Sequence, residues 1–253
     1  MNKLEKIFKN KKVCIPFLTA GDPTMDITEK LLYLCEEEGA DMIELGVPFS
    51  DPAGEGNLRQ EANERALAAG CTTDKIFEML EKAAKKIKVP IVLRSYLNPV
   101  CTYGKEKFLE RCTSCRIAGL IIADLPFEER DELEDLCRAH RLPLLFVAAP
   151  APENRIRNIA RNAEGFVYCL AKDRKKAVTL LDTLRRNSDV PCVAGMSDTE
   201  REEDLEQIRG FDGVVLETGL TRITGCYGEN CLVYATQYMR KIRRILNSFV
   251  NEC

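Results

Sequence analysis

Residues 44–60 read ELGVPFSDPAGEGNLRQ, and this stretch divides a strand-like segment from a loop. It begins at the end of a short apolar run, MIEL at 42–45. Five breakers follow within eleven residues: Gly46, Pro48, Pro52, Gly54 and Gly56. No helix or strand persists through that density, because proline lacks an N–H donor and glycine has no conformational preference. The stretch therefore predicts a loop that leaves a buried strand.

Three carboxylates lie on this loop or at its root, namely Glu44, Asp51 and Glu55. A carboxylate at the exit of a buried strand costs free energy unless it is solvated, paired or used in chemistry. Two interpretations of Glu44 stay open at this point, a hydrogen-bonded strand end and a functional acid. For Glu55 the alternative to a functional role is a solvated loop residue.

Composition narrows the class of protein. The chain has 253 residues, of which 45% are apolar and 30% charged, so it can bury a large core as one barrel or two small domains. Its net charge of -3 comes from interspersed acidic and basic residues, which argues against nucleic acid as a partner. No apolar run reaches membrane-spanning length, and no signal core follows the first residues. We expect a soluble, cytoplasmic protein without a membrane partner.

The cysteines and the single histidine offer little chemistry. Twelve cysteines without a secretion signal indicate reduced thiols rather than disulfides. Cys112 and Cys115 form one CxxC pair, but the looser pair of Cys226 and Cys231 has irregular spacing, so we expect no metal site. His140 ends a helix-like segment and is expected to be a helix cap. Chemistry must therefore rest on carboxylates, tyrosines or lysines.

Strand-like and helix-like segments alternate along the whole chain. The predicted strands are 13–18, 41–45, 91–95, 119–123, 144–148, 165–170, 190–194 and 213–216. The predicted helices are 2–10, 26–38, 60–69, 74–87, 105–114, 128–139, 153–162, 175–186, 199–209 and 230–249. Eight such units in about 250 residues fit a (β/α)8 barrel, and no glycine-rich fingerprint of a doubly wound sheet follows the first strand. We expect an α/β fold, a single TIM-barrel domain over residues 1–253 with a short N-terminal helix.

In that fold, functional groups lie where the strands end at their carboxyl side. The polar residues at those ends are Asp22, Glu44, Asp51, Glu55, Tyr96, Asn98, Asp124, Tyr168, Lys172, Ser197 and Glu217. Glu44 and Glu55 are eleven residues apart on one connection, so they are able to face each other across a pocket. Paired carboxylates in unlike environments are the usual equipment for general acid and base catalysis.

Three stretches carry a resemblance to a known family. They are PFLTAGDP at 16–23, ELGVPFSDP at 44–52 and GLIIADLPFE at 119–128. Together with Gln60, ALAAG at 66–70, Phe77, YLN at 96–98, Phe108 and Tyr168, they make the chain resemble the α subunit of tryptophan synthase. The similarity is close up to about residue 170 and looser beyond it.

The resemblance implies a lyase that splits indole-3-glycerol phosphate by a retro-aldol reaction without a cofactor. Glu44 matches the family's general acid and base, and Glu55 falls where the family has an aspartate that holds the indole N–H. Asp51 matches the loop that faces a β subunit, in which pyridoxal phosphate joins indole to serine. The implied substrate-binding residues are Tyr96, Tyr168, Gly195, Ser197 and Thr218.

Two departures from the family pattern affect this assignment. Residues 170–176 run almost directly into a helix, so the family's long lid loop is missing from the sequence. Glu217 and Thr218 replace a Gly-Ser pair of the phosphate site. A carboxylate about 4 Å from a phosphate costs about 4 kcal/mol per like-charge pair at an effective dielectric near 20. Lys172 or Arg174 are the basic residues available to compensate.

Three hypotheses follow. The first is a working α-type lyase, which requires Glu217 to turn away from the pocket. The second is a related barrel lyase whose substrate lacks the phosphate or carries a cation in its place. The third is a weakly catalytic subunit kept for docking to a partner. The carboxylates of Glu44 and Glu55 argue against the third hypothesis, because docking requires neither of them.

Overall fold

Eight parallel strands form the core of the fold. The computed structural model of the chain describes residues 4–9, 11–170, 174–196 and 209–248. The strands are β1 Val13–Thr19, β2 Ile43–Gly46, β3 Ile91–Ser95, β4 Gly119–Ile122, β5 Val147–Ala148, β6 Val167–Cys169, β7 Cys192–Met196 and β8 Gly213–Leu216. They lie in the order β4-β3-β2-β1-β8-β7-β6-β5. The predicted (β/α)8 barrel is confirmed.

The barrel closes between β4 and the segment before β5. Leu120 and Leu144 form a single parallel bridge there. The Leu145 N–H donates to the Leu120 carbonyl at 2.8 Å, and the Leu120 N–H donates to the Pro143 carbonyl at 2.9 Å. The predicted strand 144–148 is therefore shorter than expected, with only Val147–Ala148 in a ladder. Pro143, directly before the predicted strand, has no N–H group with which to extend the ladder toward the amino end.

The helices of the described residues surround this barrel. They are α1 Met25–Glu37, α2 Asn57–Ala68, α3 Thr73–Ala83, α4 Leu97–Tyr103, α5 Lys105–Ser114, α6 Glu134–Ala139, α7 Glu153–Asn162, α8 Arg174–Arg185, α9 Gly219–Tyr227 and α10 Leu232–Ser248. Short 3₁₀ turns occupy Glu5–Phe8, Phe127–Glu132 and Gly228–Asn230. In the described part of the chain, no helix is long and apolar enough to cross a membrane.

Several helix predictions need correction. The predicted helix 2–10 is only the turn Glu5–Phe8, and the predicted helix 128–139 is divided between a 3₁₀ turn and α6. Two helices were not predicted, α4 and α9. Pro99 in the first turn of α4 and the glycines of α9 conceal them, because these residues normally indicate breaks. Nearly all of the predicted helix 199–209 lies outside the described residues. His140 is the C-terminal cap of α6, as predicted.

Alternate strand residues fill the barrel interior. The interior cluster consists of Leu4, Val13, Ile15, Phe17, Met42, Val92, Ile121, Leu145, Phe166, Tyr168, Val193 and Val215. Leu4 and Leu145 fit because Gly119 and Gly165 lack side chains; a Cβ at either glycine would lie within 3 Å of Leu145. Side chains alternate between the two faces of a strand. The next interior positions toward the carboxyl ends are therefore Glu44 on β2, Arg94 on β3 and Glu217 after β8.

Candidate active site

Glu44 lies inside the barrel near the carboxyl end of β2, level with Phe17 of β1. Its side chain is 1% exposed, and its Oε1 is 3.3 Å from Nη1 of Arg94. Its Oε2 has no hydrogen-bond partner among the described residues. Burial raises the pKa of Glu44, although the charges of Arg94 and Arg59 lower it in part. Glu44 is thus a buried carboxyl that holds its proton to a higher pH than usual and has one oxygen free.

Glu55 joins the same cluster from the loop before α2. The solvated-loop alternative is wrong, because its side chain is only 5% exposed. Its Oε1 lies 3.3 Å from Nη2 of Arg59 and 3.9 Å from Nε of Arg94, and its Oε2 accepts a hydrogen bond from Asn63 at 3.1 Å. Arg94 therefore bridges Glu44 and Glu55, and the predicted pair of carboxylates is brought together.

Helix α2 carries the residues that hold Glu55. Arg59 and Asn63 are four residues apart, so they lie on one face of the helix and point into the barrel mouth. The helix is tied to the end of β1 by Arg65, whose guanidinium donates two hydrogen bonds to buried Asp22 at 2.8 and 2.9 Å. Thr224 of α9 donates a further hydrogen bond to Asp22 at 2.6 Å. Asp22 thus links β1, α2 and α9 beside the site.

The two predicted substrate-binding tyrosines are both buried, and each lies beside the charged cluster, Tyr168 near Arg94 and Tyr96 near Glu55. Tyr168 extends from β6 toward Glu217, to which its hydroxyl donates a short hydrogen bond. Burial, and then the charge of Glu217, raises the pKa of Tyr168 well above its usual range. Tyr96 follows β3, and its ring centroid is 5.2 Å from that of Phe49. Burial, and then the charge of Glu55, raises the pKa of Tyr96. Both phenols therefore stay protonated donors.

Glu217 turns toward the charged cluster rather than away from it. Its carboxylate lies over Gly195, where a Cβ would come within 3 Å of both Glu217 and Tyr168. Its Oε1 is also 3.9 Å from Nη1 of Arg59. In the structure, Gly195 makes room for these two side chains, and its predicted role in substrate binding stays a prediction. Thr218 stands at the N-terminus of α9, half-buried.

Three further predicted residues have different placements. Ser197 and Lys172 lie outside the described residues. Asp51 is exposed on the loop after β2 and accepts a hydrogen bond from the Ser50 hydroxyl at 2.6 Å. Asp51 is therefore on the surface and outside the charged cluster.

Sequence reasoning missed the two arginines of the cluster. Both are nearly buried, with side chains 7% exposed for Arg59 and 9% for Arg94. The Cζ of Arg59 lies 4.0 Å from the Phe17 ring centroid, a cation–π geometry. Burial opposes the charge on Arg94, but its neighbours Glu44, Tyr168, Glu55 and Glu217 together outweigh burial and raise the pKa of Arg94. An arginine inside the apolar run IVLRS was the available signal.

Metal ligation finds no support in the described ranges. No group of three or more His, Cys, Asp or Glu side chains in them is arranged to hold an ion. Cys112 and Cys115 are both buried, whereas Cys226 is exposed on α9. Burial raises the pKa of the Cys115 thiol to about 11, which leaves it a neutral packing group.

The site is defined by carboxylates and phenols at the carboxyl end of a (β/α)8 barrel. Glu44 offers a buried carboxyl with a raised pKa, Glu55 offers a second carboxylate beside it, and Tyr96 and Tyr168 offer hydroxyl groups. This arrangement suits proton transfer to and from carbon and oxygen, and it is typical of barrel enzymes that use general acid–base catalysis.

Comparison with known proteins identifies the family. The model of the tryptophan synthase alpha chain family matches residues 4–230. The tryptophan synthase alpha chain of Alkaliphilus metalliredigens is 39% identical over 227 residues, 85% of each chain. That of Halalkalibacterium halodurans is 35% identical over 236 residues, 89% of each chain. The chain belongs to the tryptophan synthase alpha chain family.

Solved structures agree with this assignment. The tryptophan synthase subunit alpha of Legionella pneumophila is 29% identical and superposes with a TM-score of 0.90, covering 98% of this chain and 99% of that one. The tryptophan synthase complex of Pyrococcus furiosus contains a chain that is 31% identical, with a TM-score of 0.86 over 91% and 97% of the two chains. The family is a lyase family of tryptophan biosynthesis, and its known role is the cleavage of indole-3-glycerol phosphate.

Proposed function

We propose that Glu44 is the general acid and base with which this chain splits indole-3-glycerol phosphate into indole and glyceraldehyde 3-phosphate. The observation that supports this role is the state of Glu44, a buried carboxyl with a raised pKa and an oxygen free to meet substrate. A carboxyl of this kind is able to give a proton and take one back at the same pH.

The reaction needs two proton movements, and Glu44 serves both. The protonated carboxyl gives its proton to C3 of the indole ring, which becomes tetrahedral. The bond from C3 to the glycerol carbon then breaks, and its electrons restore the aromatic ring. The hydroxyl on that carbon loses its proton to the Glu44 carboxylate and becomes the aldehyde. The proton count balances, and Glu44 returns to its starting state.

Glu55 and the tyrosines orient the substrate in this proposal. The Glu55 carboxylate accepts the indole N–H and stabilises the positive charge that develops there when C3 is protonated. Tyr96 and Tyr168 line the substrate pocket, and their hydroxyls act as donors. The phosphate is held by backbone N–H groups at the start of α9, beside Thr218, and along Gly195 and Ser197.

A second candidate function is favoured by one specific observation, the position of Glu217. Its carboxylate lies over Gly195, within the proposed phosphate-binding region. A carboxylate there repels a phosphate dianion. The second candidate is therefore a related lyase whose substrate lacks the phosphate or carries a cation at that place.

The wider setting is also proposed from the family. A tryptophan synthase β subunit is the proposed partner, with Asp51 on the face that meets it and pyridoxal phosphate only in that partner. The solved relatives include tryptophan synthase complexes, and Asp51 is exposed. This chain would need no cofactor of its own. We also propose a cytoplasmic location and one barrel domain over residues 1–253.

The test is indole release from indole-3-glycerol phosphate by the purified chain, alone and with a β subunit. Glu44→Gln keeps the shape of the side chain but removes its proton chemistry, so turnover should fall by about 10²–10⁴-fold. Glu128→Gln is the matched control, because Glu128 pairs with Arg155 on the surface. Unchanged turnover in Glu44→Gln would overturn the role of Glu44. No turnover by the unaltered chain in either setting would overturn this substrate and favour the second candidate.

A further inference from the structure

The guanidinium groups of Arg59 and Arg94 carry N–H groups for which the described part of the chain offers no acceptor. Nε and Nη2 of Arg59 and Nε of Arg94 are buried without a hydrogen-bond partner among the described residues. Both side chains are more than nine-tenths buried in the barrel mouth. A buried donor without an acceptor costs free energy, so such groups are normally paired. These donors therefore point to an acceptor that the described residues do not supply.

The neighbouring carboxylates do not fill this need. Glu55 lies 3.3 Å from Arg59 and 3.9 Å from Arg94, and neither contact has hydrogen-bond geometry. The Tyr96 hydroxyl is also buried, and it interacts with Glu55. The cavity thus offers several donors that converge from α2 and β3, which is the equipment for binding an acceptor-rich, anionic group.

Glu217 marks where such a group would lie. Its carboxylate accepts the Tyr168 hydroxyl and rests 3.9 Å from Arg59, a loose ion pair. At 14% its side chain is the most exposed of the three carboxylates, so it is the one best placed to rotate outward. With the Glu217 carboxylate rotated outward, the side of the Arg59 guanidinium that faces Glu217 becomes open to an anion.

We propose that Arg59 and Arg94 form a subsite for an anionic group of the substrate, a carboxylate or a phosphate, which replaces the Glu217 carboxylate in the barrel mouth. The proposal rests on the lyase site described above and narrows its substrate class. This subsite is formed by two guanidinium groups, whereas the phosphate site of the proposed function is formed by backbone N–H groups at the start of α9.

The experiment is calorimetric titration of the full chain with inorganic phosphate and, separately, with malonate. Saturable binding of either anion is expected, and the anion that binds more tightly distinguishes a phosphate from a carboxylate subsite. Arg59→Lys and Arg94→Lys keep the charge but lose the planar fork, so each should weaken binding by about tenfold or more. Arg111→Lys is the matched control, because Arg111 pairs with Glu81 outside the barrel.

Glu217→Gln is expected to strengthen anion binding, a result that misfolding of the variant cannot produce. Removing the competing carboxylate should strengthen anion binding by about fivefold or more. Binding that is equal in the unaltered chain, both lysine variants and Glu217→Gln would overturn the subsite and assign the anion to backbone donors. Absence of binding, with indole-3-glycerol phosphate still cleaved, would overturn the inference and leave the proposed function. If the chain does not cleave indole-3-glycerol phosphate but binds the anion, and the lysine variants lose that binding, the proposed function is overturned and the anion subsite is supported.

Discussion

The two ends of the barrel interior are built on opposite principles. At the amino end, Leu4, Val13 and Phe166 belong to an apolar cluster that fills the space between the strands. At the carboxyl end, Glu44 and Arg94 occupy interior strand positions and meet further charged groups from α2 and β8. The same alternation of side chains produces both ends. Only the chemical character of the interior positions changes along the barrel axis.

The difference between the two ends separates the part of the barrel interior that stabilises the fold from the part that carries the candidate site. Burial of apolar side chains stabilises the fold, and glycines at 119 and 165 allow dense packing there. A buried cluster of charges contributes little net stability, because desolvation offsets the attraction between its members. The charged cluster at the carboxyl end is therefore stable only while its positive and negative side chains offset one another. A single substitution that removes one charge leaves its partner unpaired.

The largest effect is expected when one charge of this cluster is removed. Arg94→Met leaves Glu44 buried without its nearest cation, so the free energy of unfolding should fall by about 3–5 kcal/mol at neutral pH. Chemical denaturation would measure this loss. The double variant Arg94→Met/Glu44→Gln should recover part of it, because the unpaired charge is then gone. A double variant as unstable as the single one would show that Arg94 acts through packing instead.

A smaller loss is expected at the apolar end. Leu4→Ala leaves a cavity beside Leu145, so the free energy of unfolding should fall by about 2–5 kcal/mol. Unlike the loss in Arg94→Met, this loss should not depend on pH between neutral and mildly acidic conditions. The exposed Leu67 is the control, since Leu67→Ala removes little buried area. If the stability loss in Leu4→Ala depended strongly on pH, the division of the barrel interior into an apolar end and a charged end would be contradicted.

The pH dependence of stability should identify Glu44. Burial raises its pKa in the folded protein, so the folded state binds this proton more tightly than the unfolded chain does. The stabilisation from that proton is complete below the ordinary pKa of about 4.3. It is lost as the pH rises through the folded pKa. Relative to Glu44→Gln, the unaltered chain should lose up to about 1.4 kcal/mol per pH unit in this window. If the difference in unfolding free energy between the unaltered chain and Glu44→Gln did not change with pH, the raised pKa of Glu44 would be disproved.

The smallest effect is expected for an ion pair in water. Arg155 donates to both oxygens of Glu128 at 2.7 and 3.0 Å, a better geometry than that of Arg94 with Glu44. Both partners are exposed, so Arg155→Gln should cost only about 0.2–1 kcal/mol, and less at high salt. Thermal unfolding at two salt concentrations would measure it. A loss as large as that in Arg94→Met would mean that burial is not what separates the two pairs.

The sequence alone determined the (β/α)8 barrel and the placement of Glu44 at the end of its second strand. These features depend on local patterns, namely apolar runs, the breakers of residues 44–60 and the alternation of strands with helices. The helices α4 and α9 escaped prediction, because Pro99 and two glycines imitate loop signals at sites where packing decides otherwise.

Only the tertiary structure decided what surrounds Glu44. Arg59, Arg94 and Glu217 are far apart in the chain, and barrel closure brings them within ion-pair distance of one another or of Glu55. The direction of the Glu217 side chain also depends on contacts with Tyr168 and Arg59 rather than on its neighbours in sequence. The balance of charge in the barrel mouth is thus a property of the closed fold, because charge interactions depend on distance in space.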